Sequence, residues 1–301
     1  MAYRSLFLLL FLFVSHLGTS QSYLDIFSAS YGYGPNAGYE DGPGETGIHS
    51  ADITLLLPVP TRKGPVLITG LNFFVNRLRP DPGSPENISF YALAPRLGLQ
   101  FDYGKGWTGT HVLIPRLSTA FSNARNGLQI AALQLFQKQK PSGNSFSLGF
   151  YSSRESYGWM LVPIFGGYFS GANGAWELRL FLPAQGDLNF RLAEQLRAGL
   201  VFDGLGSTHD FENVQFGRAY VQRIANDLQG YLQINLGKSV LLAARAGYSF
   251  FRSYRVYEAG DTAGVSIANI FFRDDRTPLN SSVSGGFICS VRMAYRFHLQ
   301  N

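Results

Sequence analysis

The sequence predicts a transmembrane antiparallel up-and-down β-barrel of about fourteen strands, and three observations carry that prediction. Apolar and polar residues alternate with period two along most of the chain, in segments of about 8–13 residues punctuated by Gly, Pro, Asn and Asp. Charged residues make up only 15% of the 301 residues and aromatic residues another 15%, with 34 Gly. Ordinary water-facing domains are richer in charge, at roughly 25%. Finally, Arg4, the apolar run Leu6–Val14 and the small residues Gly18-Thr19-Ser20 form a secretory signal peptide over 1–20. The mature domain is then 21–301, beginning at Gln21.

These features exclude several classes. Disordered chains are aromatic-poor and highly charged. A disulfide scaffold needs paired cysteines, and Cys289 is the single one. A net charge of +5, scattered along the chain, is no nucleic-acid footprint, which needs a basic face or stripe. The leader's nine apolar residues are too few to span a bilayer as a helix, and no longer apolar run follows. A lipoprotein would carry Cys where Gln21 stands.

The first strand, 23–34, sets Phe27, Ala29, Tyr31 and Tyr33 against Ser28, Ser30, Gly32 and Gly34. In 47–57, His49, Ala51, Ile53, Leu55 and Leu57 oppose Ser50, Asp52 and Thr54. After 65–76, the segment 88–102 sets Tyr91, Leu93, Leu97, Leu99 and Phe101 against Arg96, Gln100 and Asp102. Strands at 107–117, 127–138, 145–151 and 159–170 follow, then 175–183, where Trp176, Leu178, Leu180 and Leu182 oppose Glu177 and Arg179. The remaining strands are 187–193, 195–204, 216–236, 239–254 and 283–297. In the last of them Phe287, Val291, Met293, Tyr295 and Phe297 oppose Ser290, Arg292 and Arg296. Reading 175–193 without its extra hairpin leaves twelve strands.

With the N-terminus in the periplasm, connections after even-numbered strands are short and most of those after odd-numbered strands are long. A membrane barrel has that asymmetry. The rival is a secreted β-sandwich, which also alternates. Strands of 11 or more residues and a scarcity of Lys, at five, speak against it.

The run Ser147–Pro183, SLGFYSSRESYGWMLVPIFGGYFSGANGAWELRLFLP, carries a Gly-aromatic strand end, Val162-Pro163, a Gly-Gly-Tyr and Trp176. Residues 230–254 add Gly247-Tyr248 and Arg252. On these stretches the chain resembles an uncharacterised family of outer-membrane β-barrels of Gram-negative bacteria. The resemblance implies architecture and location, namely the bacterial outer membrane and its cell envelope. Outer-membrane lipid, lipopolysaccharide and the insertion machinery are the partners expected there. It brings no substrate or activity. Such barrels usually end on an aromatic residue, whereas Phe297 is followed here by His298-Leu299-Gln300-Asn301.

Catalytic signatures are scarce. His209-Asp210, with Ser207 and Glu212, reads as polarity of an exposed outer loop. His49 and His111 fall on outward apolar faces. No G-x-S-x-G elbow, H-E-x-x-H site or phosphate loop occurs. The expectation is no enzyme, no cofactor and no metal. The acidic loop residues Glu40, Asp41, Glu45, Asp261, Asp274 and Asp275 read as solvated.

The inward-facing charges are the candidate lumen residues. By parity they are Arg96, Arg116, Arg179, Arg191, Arg197, Arg292 and Arg296, with Arg245 beside them, opposed by Asp52, Glu177 and Asp203. Charges are kept inside a membrane only when they face a wet cavity or one another. They either knit a narrow barrel together or form a constriction favouring anions. Fourteen strands lie between a side-chain-filled barrel of about eight and an open channel of about 16–18. The leading expectation is therefore a narrow, porin-like passage for small solutes. The alternative is a structural barrel whose outer loops bind a partner, without transport or catalysis. In the long connection 255–282, the apolar segment Val265–Phe272 is expected to fold inward or across the mouth, or to extend the last hairpin.

Overall fold

The computed structural model describes residues 23–298 except 63 and 121–126. The expected signal peptide lies outside the described residues. The strands are β1 (Tyr23–Gly38), β2 (Glu45–Val59), β3 (Val66–Leu78), β4 (Ile88–Gly104), β5 (Trp107–Thr119), β6 (Leu128–Gln139), β7 (Ser145–Glu155) and β8 (Gly158–Ser170). Then come β9 (Trp176–Leu182), β10 (Gln185–Arg191), β11 (Leu196–Asn213), β12 (Gly217–Leu236) and β13 (Val240–Glu258). A small hairpin, β14 (Gly264–Ile267) and β15 (Ile270–Phe272), precedes β16 (Gly286–His298).

Fourteen of these, all but β14 and β15, close an antiparallel barrel. β16 completes the ring by pairing with both β13 and β1. The hairpin β9–β10 is a genuine part of the wall, so the twelve-strand reading falls. At one end of the barrel, the turn end, strands are joined tightly; Gly237, with φ 70, makes the sharp reversal between β12 and β13. The opposite, loop end carries the long connections.

Alternation is realised with the apolar side outward. Leu97, Leu148, Leu232 and Val291 are all more than half exposed, while Ala92, Ala94, Ala131, Ala243 and Ala294 face in. Trp107, Trp159, Tyr248 and Tyr295 also stand on the outer surface. A sandwich would bury those rings between two sheets, so that rival is excluded.

Near the loop end the alternation fails, and the failure locates a second structure. Ala219, Tyr220, Val221, Gln222 and Arg223 of β12 are consecutively buried, and on β11 the adjacent Thr208 and His209 are buried with Phe211. Residues buried on both faces cannot form a barrel wall with one wet and one apolar side. Here β11, β12 and β13 continue past the wall and lean across the mouth. The edge of β11 reaches β5, nearly opposite it in the ring, where Asp210 pairs with Thr119 and the Ala120 N–H donates to the Asp210 carbonyl (3.1 Å). At the tip, Ser84 Oγ donates to Gln215 in the turn between β11 and β12 (2.7 Å). The expected outer loop 205–215 is thus mostly strand, and His209 is 1% exposed rather than solvated.

The connection after β13 patches the wall on two sides. β14 runs parallel to the start of β8, beside the short β9–β10 hairpin. Residues 279–285 lie between β13 and β1, with the Leu279 N–H donating to the Val256 carbonyl and the Ser284 N–H to the Gly38 carbonyl (2.8 Å each). The segment Val265–Phe272 therefore forms a wall hairpin. Neither an inward plug nor an extension of the last hairpin describes it.

Candidate functional site

Beneath the infolded sheet lies a chamber of about 620 Å³. Arg96, Arg116, Arg179, Asp203, Arg292 and Arg296 line it, as do Asp52 and Arg245. Glu177 and Arg197 form an ion pair (3.3 Å) toward the turn end. Arg191 is elsewhere: it is exposed on the rim of the turn end and donates to the Asn173 carbonyl. It closes β10, where the strand leaves the barrel interior.

The chamber floor is crossed by one side chain. Tyr23 OH donates to Glu177 (2.6 Å) and accepts from Arg179 Nη2 (2.6 Å), although β1 and β9 stand on nearly opposite sides of the ring. Arg296 stacks on the Tyr23 ring at 3.6 Å and bonds Asp25 (2.7 Å), which also takes Arg292 (2.9 Å). Sequence parity turns Tyr23 and Asp25 outward with Phe27. A bulge between Asp25 and Phe27 reverses that parity, so the signal sits in the irregularity.

The roof joins the wall through a buried polar seam. Glu155, at the end of β7, pairs with Arg116 (2.5 Å) and accepts from Thr208 N–H (3.0 Å) and Thr208 Oγ1 (2.8 Å) on β11. Ser118 Oγ donates to the Thr208 carbonyl (2.6 Å) and lies 2.8 Å from His209 Nδ1. Sequence reasoning missed Glu155 because 152–158 reads as a connection between strands, and missed Thr208 because its neighbours are polar. Buried polar groups of this kind are stable when fully partnered.

Two apolar clusters clamp the roof. On one side, Phe211, Ala219, Val221, Tyr254 and Val256 pack with Ala37, Ile48, Leu78 and Phe90 from β1 to β4. On the other, Tyr220 and Tyr257 pack with Tyr157, Met160, Ala263 and Phe271. Arg276 lies over the rings of Tyr257, Tyr157 and Phe271 and holds Asp274 (2.7 Å). That hydrogen bond keeps the Asp274 carboxyl below the usual carboxylate range. Its folded value lies under its unfolded one, so the contribution is complete above about pH 4 and is lost as pH falls through the folded value. Asp274→Asn should therefore erase the acid-side loosening of this loop. Hydrogen exchange of 273–278 between pH 5 and pH 2 checks that, and equal profiles for both proteins would refute it.

Chemically, the chamber can hold polar and charged solutes. The buried Nε atoms of Arg96 and Arg245 find no hydrogen-bond partner among the described residues. No grouping of His, Cys, Asp and Glu among the described residues has metal-binding geometry. Neither a protein-family model nor a curated protein matches the chain.

Proposed function

We propose that the chain is an outer-membrane β-barrel serving as a roofed passage for small polar solutes, with its turn end in the periplasm. Supporting the membrane setting is a closed barrel with an apolar exterior and a charged interior. Around it stand outer-membrane lipid and lipopolysaccharide, and the insertion machinery would receive its last strand. The observation that carries the gating is the roof itself, made of continuous wall strands buried on both faces. At rest such a barrel conducts nothing.

The two apolar clusters that hold the roof favour a second reading, a structural barrel that never opens. Planar-bilayer recording separates the two: voltage- or solute-dependent steps from the full chain support the passage, and lasting silence supports the scaffold. The lipid setting has its own test. Leu97→Arg, in the middle of β4, should cost about 2–4 kcal/mol of stability in bilayers at midplane depth, and Leu178→Arg, close to the turn end, about 0–1 kcal/mol. Tolerance of Leu97→Arg, with solubility in plain buffer, would overturn it.

A further inference from the structure

Between β8 and β11 the wall is not one pair of strands but two hairpins meeting tip to tip. From the turn end, β9–β10 rises only seven residues per strand and pairs with β8 as far as Phe165. From the loop end, β14 descends along β8 as far as Leu161, and the Ala268 N–H donates to the Leu161 carbonyl (2.9 Å). Residues 162–164 of β8 pair with neither hairpin, and Pro163, which has no N–H to offer, sits at their centre. Proline in a strand belongs at such an edge.

The other side of the junction is equally open. β10 pairs with β11 only up to Asp203, and β15 is the terminal strand of the sheet. Two glycines of β11 admit the tips. Gly204 N–H donates to the Ala184 carbonyl of the lower tip (2.7 Å). A Cβ at Gly206 would lie 2.3 Å from Asn269 Oδ1 of the upper tip. Outside, Trp159 and Leu161 continue into Val265, Ile267, Ile270 and Phe272, every one of them exposed. Inside, Gln185 and Gly206 line the chamber. The junction thus separates an apolar surface from a polar cavity.

We propose that β14–β15 is a leaf of the wall lying in the outer leaflet, and that the junction under its tip is a lateral portal. Its ligand is an anionic amphiphile, whose head enters the arginine-lined chamber while its alkyl part stays among lipids. Among the described residues β15 is paired along one side only, with β14, which makes it the wall's least-tied strand. The proposal rests on the membrane reading, whose own failure shows separately as solubility without detergent.

The test uses the full chain in phosphatidylcholine vesicles, with Cys289→Ser as background. The probe is hexadecanoic acid carrying a diazirine near its carboxylate. Gly206→Cys with Asn269→Cys brings two thiols within disulfide range, about 3.5–4.5 Å between Cβ atoms. Reduced protein should photolabel on lumen residues around Gln185 and Ser207, and oxidation should cut that labelling at least tenfold. Replacing 264–272 by a Gly-Ser linker should raise it at least tenfold, which guards against a strained disulfide. Ile270→Cys should resist a water-soluble maleimide that modifies Val214→Cys readily. Lumen labelling that ignores both lock and deletion, labelling confined to the outer face, or a reactive Ile270→Cys would each overturn the proposal.

Discussion

Replacing residues 206–224 with an Asn-Gly turn should convert a silent barrel into one with discrete conductance steps. Leu205 and Ala225 are directly paired across β11 and β12, so a two-residue turn of the type that suits right-twisted hairpins can join them. The excision removes Thr208, His209, Phe211, Val221 and Arg223, the groups that fill the mouth above the chamber. What remains is a fourteen-strand ring with a lumen lined by Arg96, Arg245 and their neighbours. Such a ring has the width for ions and small solutes. With Arg prominent in the lining, the opened pore should favour anions. Recording in planar bilayers reads the outcome, and circular dichroism confirms that the shortened chain is still a barrel. A folded, shortened barrel that stays silent would show that the roof is not what closes the lumen.

Glu155→Ala should cost about 3–5 kcal/mol, the range for breaking a buried ion pair by removing one partner. The Glu155 side chain is completely buried and its partner Arg116 nearly so. Truncation leaves that guanidinium without its carboxylate and strips Thr208 of the one oxygen that accepts from both its N–H and its Oγ1. The loss falls on the roof's attachment to the wall, so the turn at 214–216 should become sensitive to protease before the barrel unfolds. Urea titration in lipid, followed by limited proteolysis, measures both effects. The double change Glu155→Met with Arg116→Met, which removes both charges, should recover most of the loss. A single variant within about 1 kcal/mol of the parent would mean that the seam is peripheral to the roof.

How much of this was legible in the sequence follows from what alternation can encode. Period two identifies a strand with unlike faces, and it accounts for the fourteen strands and the outward position of Leu97, Val291 and Tyr295. It also placed Arg96, Arg116 and Arg292 inside, because each keeps parity with its strand. Parity breaks at a bulge, which hid Tyr23 and Asp25. It is also silent about a strand buried on both faces. In 207–211, Ser-Thr-His-Asp-Phe looks like a polar loop because its partners are polar groups of distant strands. Length was the available clue: β12 has 20 residues and β11 has 18, well beyond the 9–11 that cross a bilayer. The apolar segment Val265–Phe272 stands out within a long connection, but no local pattern tells a mouth plug from a wall leaf.

The ring is closed by its first and last strands: β1 pairs with β16 from Tyr23 and His298 to Tyr33 and Cys289. Contacts of that sequence separation form late, after the entropy of closing a loop of almost the entire chain has been overcome. Until then β1 and β13 both present raw strand edges, which are templates for pairing with other molecules. Loss of β16 would consequently yield no smaller cylinder but an open, sticky sheet. For the nascent chain, β16 is the step that ends exposure to aggregation.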